Sequence, residues 1–380
     1  MRPLNVLVGP NASGKSNFIE IMALLQALPR DMASFFRQSG GINDWFWKGQ
    51  GKFSPHYSTC SVETVLQHQL DPLQLRYRLF LEQSGQQWCV LREELDEEVR
   101  LGQGQVESSS LFKLIDGTGN LAVRQSPEST RDQEFSFIRQ GDLTAGQSIL
   151  RERRDPGLYP EMHFLSQQFD SIRLYRDWNM GRNSFIRRPQ PTDAPTAHLY
   201  EDFSNLALVL NRLQREPVMP TIEKQLGQFY ETYESLGVDI FANTAQLWIR
   251  EKGLANPVPA TRLSDGTLRF LALLSILCHP YPPPLVCIEE PELGLHPDVI
   301  HQVAKLLIEA SQRTQIIVTT HSAELIDHLW EDTESVVVCE RYPDSGTEFN
   351  RLKKEELESY LERYKLGELW LHGHIGGTRF

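Results

Sequence analysis

No stretch of the chain is apolar over anything near the roughly 20 residues that a membrane-spanning helix needs. Nor does the N-terminus read as a leader, because its apolar start, Leu4 to Val8, reads as a short buried strand. No membrane role is expected. Cysteine is sparse: Cys60, Cys89, Cys278, Cys287 and Cys339 are scattered, with neither C-x-x-C spacing nor a histidine ladder nearby. That excludes a disulfide framework and a zinc site, and points to reduced thiols in a cytoplasmic protein. Basic residues are outnumbered, 38 Lys and Arg against 50 Asp and Glu, for a net charge of −12. A protein whose whole surface grips nucleic acid is thereby excluded, whereas a local basic patch is not. The chain also has no heptad pattern long enough for an extended coiled coil, no internal repeat and no long low-complexity tract.

What remains is an ordinary globular composition, 40% hydrophobic and 23% charged, in 380 residues with room for two or three domains. The stretch that organises the rest is Gly9-Pro10-Asn11-Ala12-Ser13-Gly14-Lys15-Ser16, a complete G-x-x-x-x-G-K-S loop. The strand Leu4 to Val8 precedes it. A helix follows from Asn17 to Leu28, with Phe18, Ile21, Met22, Leu25 and Leu28 at helical spacing and Pro29 as the stop. In that context backbone N–H groups close around phosphate oxygens, and the helix N-terminus adds partial positive charge. Lys15 would reach the β- and γ-phosphates, and the Ser16 hydroxyl would ligate Mg²⁺, with Asn17 completing the nucleotide-contacting run. The plain alternative, a chance glycine turn before a helix, does not account for both flanks.

Along the chain, residues 30–50 are aromatic-rich and glycine-punctuated, a helix end followed by a loop entering a strand. Residues 58–67 and 74–82 alternate apolar and polar as half-buried antiparallel strands do, and Trp88 to Leu91 makes a third. The acidic run Glu93 to Glu98 reads as a solvated strand end or helix face. Residues 102–135 read as loops with at most short strands. Composition then changes: 136–236 is arginine-dense, with helical patterns at 161–170, 203–214 and 219–236, and reads as a mostly helical insertion. Beyond it, Ala245 to Arg250, Leu285 to Ile288, Ile316 to Thr320 and Val336 to Cys339 are strands, and Leu268 to Leu277 and Asp298 to Gln312 are helices. That alternation is the mark of a parallel α/β sheet. The expected division is 1–135, an N-terminal lobe; 136–236, the insertion; 237–342, a C-terminal lobe; and 343–380, a helix and tail.

Three further motifs would complete the site. Leu285-Val286-Cys287-Ile288-Glu289-Glu290 is an apolar strand that delivers carboxylates to the edge where α/β sheets bind ligands. Glu289 would hold Mg²⁺, and Glu290 would polarise the water that attacks the γ-phosphate. An acidic strand-to-helix turn is the simpler reading of the motif taken alone. Ile316 to Thr320 delivers His321 to the same edge, 31 residues after Glu290, where it would sense the γ-phosphate. A lone histidine is more often structural. Ser264-Asp265-Gly266 opens the helix Leu268 to Leu277, with a capping serine and exposed backbone donors, a second anion-binding device. Most such turns merely cap helices; two phosphate-directed devices in one chain point to a nucleotide held by another subunit.

The set Gly9–Ser16, Leu263–Thr267, Ile288–Pro297 and Val318–Ser322 resembles the ABC-type P-loop ATPase heads of the SMC/RecF/OLD branch. It is most similar to the stand-alone bacterial AAA-family ATPases of that branch. The likeness extends through 176–182, 204–211 and 366–377. It implies a mixed α/β sheet carrying a helical insertion, with ATP and Mg²⁺ as cofactors and a homodimer formed in ATP. It further implies that Ser264 and Gly266 act in trans, that Glu292 to His296 form a dimer-contact loop, and that His321 is the switch histidine. This chain departs from the family at Asp265 and Thr267, where glycine and glutamine are usual, so that an added carboxylate beside the phosphates would either weaken closure or make it more conditional. It departs again at Glu289, where aspartate is commoner. Eight residues precede the loop, fewer than members usually have. Gln50 is the candidate for the family's glutamine-loop residue.

Two functions follow. The first is a dimeric ATPase whose ATP-bound state gates a separately encoded effector, a nuclease or toxin, in anti-phage defence. The second is a DNA-repair ATPase of the RecF/SMC kind, with Arg173, Tyr175, Arg176, Trp178, Arg182, Phe185, Arg187 and Arg188 meeting DNA phosphates and bases. Those arginines serve equally well as partners for the many acids. Nothing in the insert or tail resembles the membrane-coupling domain of a transporter. The tail 367–377 reads as an ordered cap or a partner-docking strip.

Overall fold

The computed structural model describes residues 1–46, 57–67, 73–84, 87–100, 106–124, 133–144, 146–342, 344–361 and 363–377. The chain forms two compact units, Met1–Ile19 with Arg173–Phe380, and Glu20–Ile172. The breaks fall after Ile19 and Ile172, and none coincides with the compositional boundaries at 135, 236 and 342. The first unit begins with strand β1 (Leu4–Val8), buried at every position as a strand inside a parallel sheet must be. Helix α1 (Lys15–Ala27) starts in that unit and carries the chain into the second.

The second unit opens with α2 (Met32–Gln38), capped by the Asp31 carboxylate, which accepts from the Ser34 N–H at 2.8 Å. Six strands then pair in chain order as an antiparallel meander: β2 (Tyr57–Gln67), β3 (Leu73–Ser84), β4 (Gln87–Arg100), β5 (Val106–Ile115), β6 (Thr118–Arg124) and β7 (Gln133–Arg139). Short α3 (Ile149–Glu152) and α4 (Pro160–Asp170) close the unit. Alternate residues Leu75, Tyr77, Leu79 and Leu81 of β3 are buried, and the Tyr77 ring meets Phe169 of α4 edge-on at 5.8 Å. Two expectations are corrected here. Residues 102–135 are not mainly loop: β5, β6 and the start of β7 occupy the described part, because pairing with β4 overrides the weak β-propensity of Ser108 to Ser110. The acidic run is not a solvated end but the middle of β4, with Glu93 and Glu94 both buried.

The two glutamates solve burial differently. Glu94 sits among Arg78, Arg92 and Lys113; burial pushes its carboxyl up, and the arginines and lysine reverse this, leaving it below the usual value. Glu93 accepts from Tyr77 Oη (2.7 Å), Ser148 Oγ (2.5 Å) and the Ile149 N–H (3.2 Å), yet burial wins and raises its carboxyl above the ordinary range. A raised folded pKa contributes stability that is fully present below the unfolded value of about 4.5 and is lost as pH rises through the folded value. The stability advantage of wild type over Glu93→Gln, measured by urea unfolding, is therefore expected to shrink from pH 5 towards pH 8. A difference that stays constant with pH would show Glu93 to be ionised in the folded unit.

Back in the first unit come β8 (Arg173–Tyr175), β9 (Gln190–Pro191), α5 (Leu206–Leu213), α6 (Met219–Phe229), β10 (Tyr233–Phe241), β11 (Thr244–Glu251) and β12 (Val258–Pro259). They are followed by α7 (Asp265–Leu277), β13 (Leu285–Glu289), α8 (Pro297–Ser311), β14 (Gln315–Thr320) and α9 (Ala323–Asp327). The unit ends with β15 (Val336–Tyr342), β16 (Gly346–Arg351), α10 (Lys354–Leu361) and α11 (Leu366–Leu371). The main sheet runs β16-β15-β1-β14-β13-β8, parallel except for the edge strand β16. A smaller antiparallel sheet pairs β10, β9 and β12 with β11. Every residue of α7 from Thr267 to Leu277 is buried, the signature of a helix sunk in a core rather than laid on a surface. The Phe270 ring stacks on Phe229 of α6 at 4.3 Å.

Two segments differ from the sequence reading. The helix expected over 219–236 stops at Phe229, where Tyr230 turns extended, and Tyr233 already opens β10 opposite Glu251. Arg173 to Tyr175, expected within a helical insertion, is an edge strand paired in register with Val286 to Ile288. Among the described residues no helix is long and apolar enough to cross a membrane.

Candidate functional site

The loop between β1 and α1 has a conformation that its residues make possible. Gly9 has φ +155°, and a Cβ there would lie 2.4 Å from the Cys339 carbonyl oxygen of β15. Gly14 has φ +99°, and its Cβ would lie 2.1 Å from Thr347 Oγ1 of β16. Both glycines are thus demanded by close approach as well as by backbone angle. Lys15 is buried and folds back to donate to the carbonyls of Gly9 (2.8 Å) and Pro10 (3.0 Å). Burial pulls its ammonium below the usual lysine value, against the upward pull of Cys339, Glu290 and Glu289. The buried Ser13 hydroxyl has no hydrogen-bond partner among the described residues, an orphaned polar group where a phosphate oxygen would supply one.

The two acids and the histidine arrive from neighbouring strands. Ser16 Oγ donates to Glu289 Oε2 at 3.4 Å, so the longer glutamate reaches the loop hydroxyl. Glu290 has φ +47°; its N–H donates to the Thr319 carbonyl at 2.9 Å, which fixes the end of β13 against β14. Its carboxylate lies 3.8 Å from His321 Nε2. Burial and then Lys15 pull the His321 imidazole below the usual value despite Glu290, favouring the neutral ring. Asn11 to Asn17, Glu290, Thr319, His321 and Arg341 line one cleft of about 290 Å³.

The signature turn stands apart from that cleft lining. Ser264 caps α7 by accepting from the Thr267 N–H at 3.0 Å, and the buried Thr267 hydroxyl holds the same oxygen at 2.8 Å. Ser264 and Asp265 are exposed, and Gly266 backs onto the loop after β13, where a Cβ would lie 3.1 Å from the Gly294 carbonyl. The added carboxylate, Asp265, has a partner within the chain. Arg187 pairs with it, while also donating to the carbonyls of Leu263 (2.6 Å), Ala260 (3.2 Å) and Met180 (2.7 Å). The charge that would oppose phosphate is thereby compensated within the chain.

The model of the family described as "AAA domain, putative AbiEii toxin, Type IV TA system" matches residues 4–327. The chain belongs to this AAA-domain ATPase family. An SmcHead solved bound to the C-winged helix domain of ScpA is similar over 93% of this chain and 91% of that one, at 14% identity and a TM-score of 0.50. The Pyrococcus furiosus Smc head bound to the C-terminal domain of ScpA is 11% identical (94% and 92% covered, TM-score 0.44). The Thermotoga maritima SMC head is 16% identical (92% and 90%, TM-score 0.38). No curated protein matches the chain. The fold is that of an SMC head domain, and the AAA-domain protein is an ATPase.

Around the cleft the AAA-domain ATPase makes contacts that its sequence did not indicate: Arg269 was not singled out, Trp178 was read as a DNA contact and Glu292 as part of a dimer-contact loop. Trp178 donates its indole N–H to the Glu289 carbonyl at 2.7 Å and stacks on Phe203 at 5.1 Å. Arg269, on the buried face of α7, lies 4.8 Å over the Trp178 ring and donates to the Glu290 carbonyl at 3.4 Å. Burial lowers it to about 10, which leaves it charged at neutral pH. Glu292 turns inward, accepting from Thr320 Oγ1 and from the His321 N–H at 3.3 Å, and burial raises its carboxyl. Only long-range pairing reveals these roles; a buried-helix arginine and an aspartate-flanked tryptophan were the available signals. The arginine–aromatic segment divides. Tyr175, Trp178 and Arg187 serve the interior, and Arg176 lies 4.0 Å from Glu289, whereas Arg182, Phe185 and Arg188 are exposed, with Arg188 over the Phe185 ring at 5.8 Å. The tail is an ordered cap: Trp370 Nε1 donates to the Gly377 carbonyl (3.2 Å), and the Gly377 N–H to Glu340 (3.0 Å), beside Gly9. Gln50 lies outside the described residues.

Proposed function

We propose that two copies of the chain pair around ATP, each lending Ser264, Asp265 and Gly266 to the nucleotide held by the other, and that the paired state gates a separately encoded effector. The observation that carries this reading is the separation of parts. Loop, acid and histidine line one cleft, and the exposed signature turn is not among the residues lining it. Its backbone donors point to a ligand brought by another copy.

Within one site, Gly9 to Asn17 cradle the phosphates, and Lys15 moves from its two loop carbonyls onto the β- and γ-phosphate oxygens. Ser16 and Glu289 would hold Mg²⁺, a hydroxyl and one carboxylate being the sparse protein ligation that Mg²⁺ takes when phosphates supply the rest. Held by Ser16 and Glu289, Mg²⁺ would supply neutralisation of the phosphate charge. Glu290 accepts a hydrogen bond from the attacking water and aims its lone pair at phosphorus. Neutral His321 contacts the γ-phosphate.

The family's description as a "putative AbiEii toxin" of a type IV toxin–antitoxin system supports a part in such a system. We extend this to the separately encoded effector, a nuclease or toxin, and to a part in anti-phage defence. A DNA-repair reading keeps one specific support, the exposed Arg182, Phe185 and Arg188. Mass measurement in ATP and in ADP tests the pairing. A doubled mass with ATP that reverts with ADP is expected, and a monomer under both conditions would remove the composite site. Turnover raised by added DNA would favour the second reading.

A further inference from the structure

The sheet gives the nucleotide site a direction. Glu290 and His321 follow β13 and β14, on one side of the loop strand β1; β15 lies on the other. A triphosphate whose γ-end meets those two residues must extend across Lys15 towards β15. There the chain presents Arg341, the one cation besides Lys15 among the described residues lining the cleft. Arg341 stands directly opposite Thr347 in the β15–β16 ladder, so their side chains share a face. Thr347 abuts Gly14 on that face, and Phe349, two residues on, packs against Phe18 of α1 at 5.2 Å between ring centres. The hairpin face bearing Arg341 therefore covers the phosphate loop.

The Arg341 guanidinium is exposed and makes no hydrogen bond or ion pair with any described residue, in a chain where acids outnumber bases. Its neighbours are engaged: Glu340 accepts from the Gly377 N–H and from Tyr342 Oη. An unpaired, planar, multiply donating cation at a phosphate cleft has the chemistry of a phosphate ligand. We infer that Arg341 binds the α-phosphate of the bound nucleotide and that the nucleoside lies on the β15–β16 hairpin side of the loop. Phe349, about two-fifths exposed (41%), is the ring of that hairpin that shares the Arg341 face.

The inference rests on the nucleotide site described above, and the test separates the two. Affinities of wild type, Arg341→Ala and Arg341→Lys for fluorescent ATP and ADP analogues are measured in one titration series, with thermal unfolding as the folding check. Loss of a charge-assisted contact present in both ligands is expected to weaken ATP and ADP by the same factor, about 10- to 100-fold, with the lysine variant between. A loss confined to ATP would place Arg341 at the γ-phosphate and overturn the inference. So would variants that bind both ligands as tightly as wild type does. Wild type that binds neither nucleotide would overturn the site itself.

Discussion

Glu290→Gln is expected to lower steady-state ATP turnover by about 10²- to 10⁴-fold while changing ATP affinity little. The backbone at this position is held independently of the carboxylate. Its N–H donates to Thr319, and its carbonyl accepts from Leu293 (3.1 Å) and Arg269 (3.4 Å). Glutamine matches the shape and retains those bonds, at a φ of +47° that glutamate already tolerates. What it loses is the ability to accept from water with both oxygens. The side chain is about two-fifths exposed (39%) and faces the cleft 3.8 Å from His321, where a water can stand against the γ-phosphate. Binding and pairing do not need that function, so the variant should accumulate as an ATP-bound pair. Phosphate release alongside mass measurement decides it. A variant that turns over at the wild-type rate would transfer the water-positioning role elsewhere.

Lys15→Ala is expected to weaken ATP binding by at least about 10²-fold, because two charge-assisted contacts, each worth about 1.5–3 kcal/mol, are lost together. The ammonium is buried (6% exposed) and rests on the Gly9 and Pro10 carbonyls. Burial lowers its proton affinity, and Cys339, Glu290 and Glu289 work against that. Phosphate oxygens offer it a stronger, charged partner a short rotation away. Arginine is no substitute, since a planar fork does not fit a pocket closed by backbone carbonyls. Calorimetric titration with ATP checks the loss, and thermal unfolding without nucleotide tests whether freeing the Gly9 and Pro10 carbonyls destabilises the loop. Affinity unchanged by the substitution would mean that the phosphates lie elsewhere.

What the sequence made legible was local. Gly9 to Ser16, Ile288 to Glu290 and Thr319 to His321 each end an apolar strand, and each strand was readable because burial on both faces forces a continuous apolar run. The parallel sheet brings their ends together. What it hid was long-range. Trp178 finds Glu289 across 111 residues, and Arg187 finds Asp265 across 78. Nothing in the composition of 173–188 separates such interior arginines from exposed Arg182 and Arg188. Glu93 and Glu94 were hidden for a related reason. An acidic run implies water until a tyrosine, a serine, Arg78 and Lys113 arrive from other segments to join Arg92 of the same strand in replacing it.

The short strip from Trp178 to Arg187 holds the Glu289 carbonyl at one end and the signature turn, through Leu263 and Asp265, at the other. Arg187 also grips Met180 within the strip, so the two ends are cross-tied. In the paired state proposed above, those ends serve different ATP molecules: the acid strand belongs to the chain's own site, and the turn is lent away. A displacement of β13 when one γ-phosphate leaves would then reach the second nucleotide as a tilt of the turn that seals it. The two hydrolysis events would not be independent draws. Their order in time would be written into the strip, and a single spent nucleotide would be enough to announce itself on both sides of the pair.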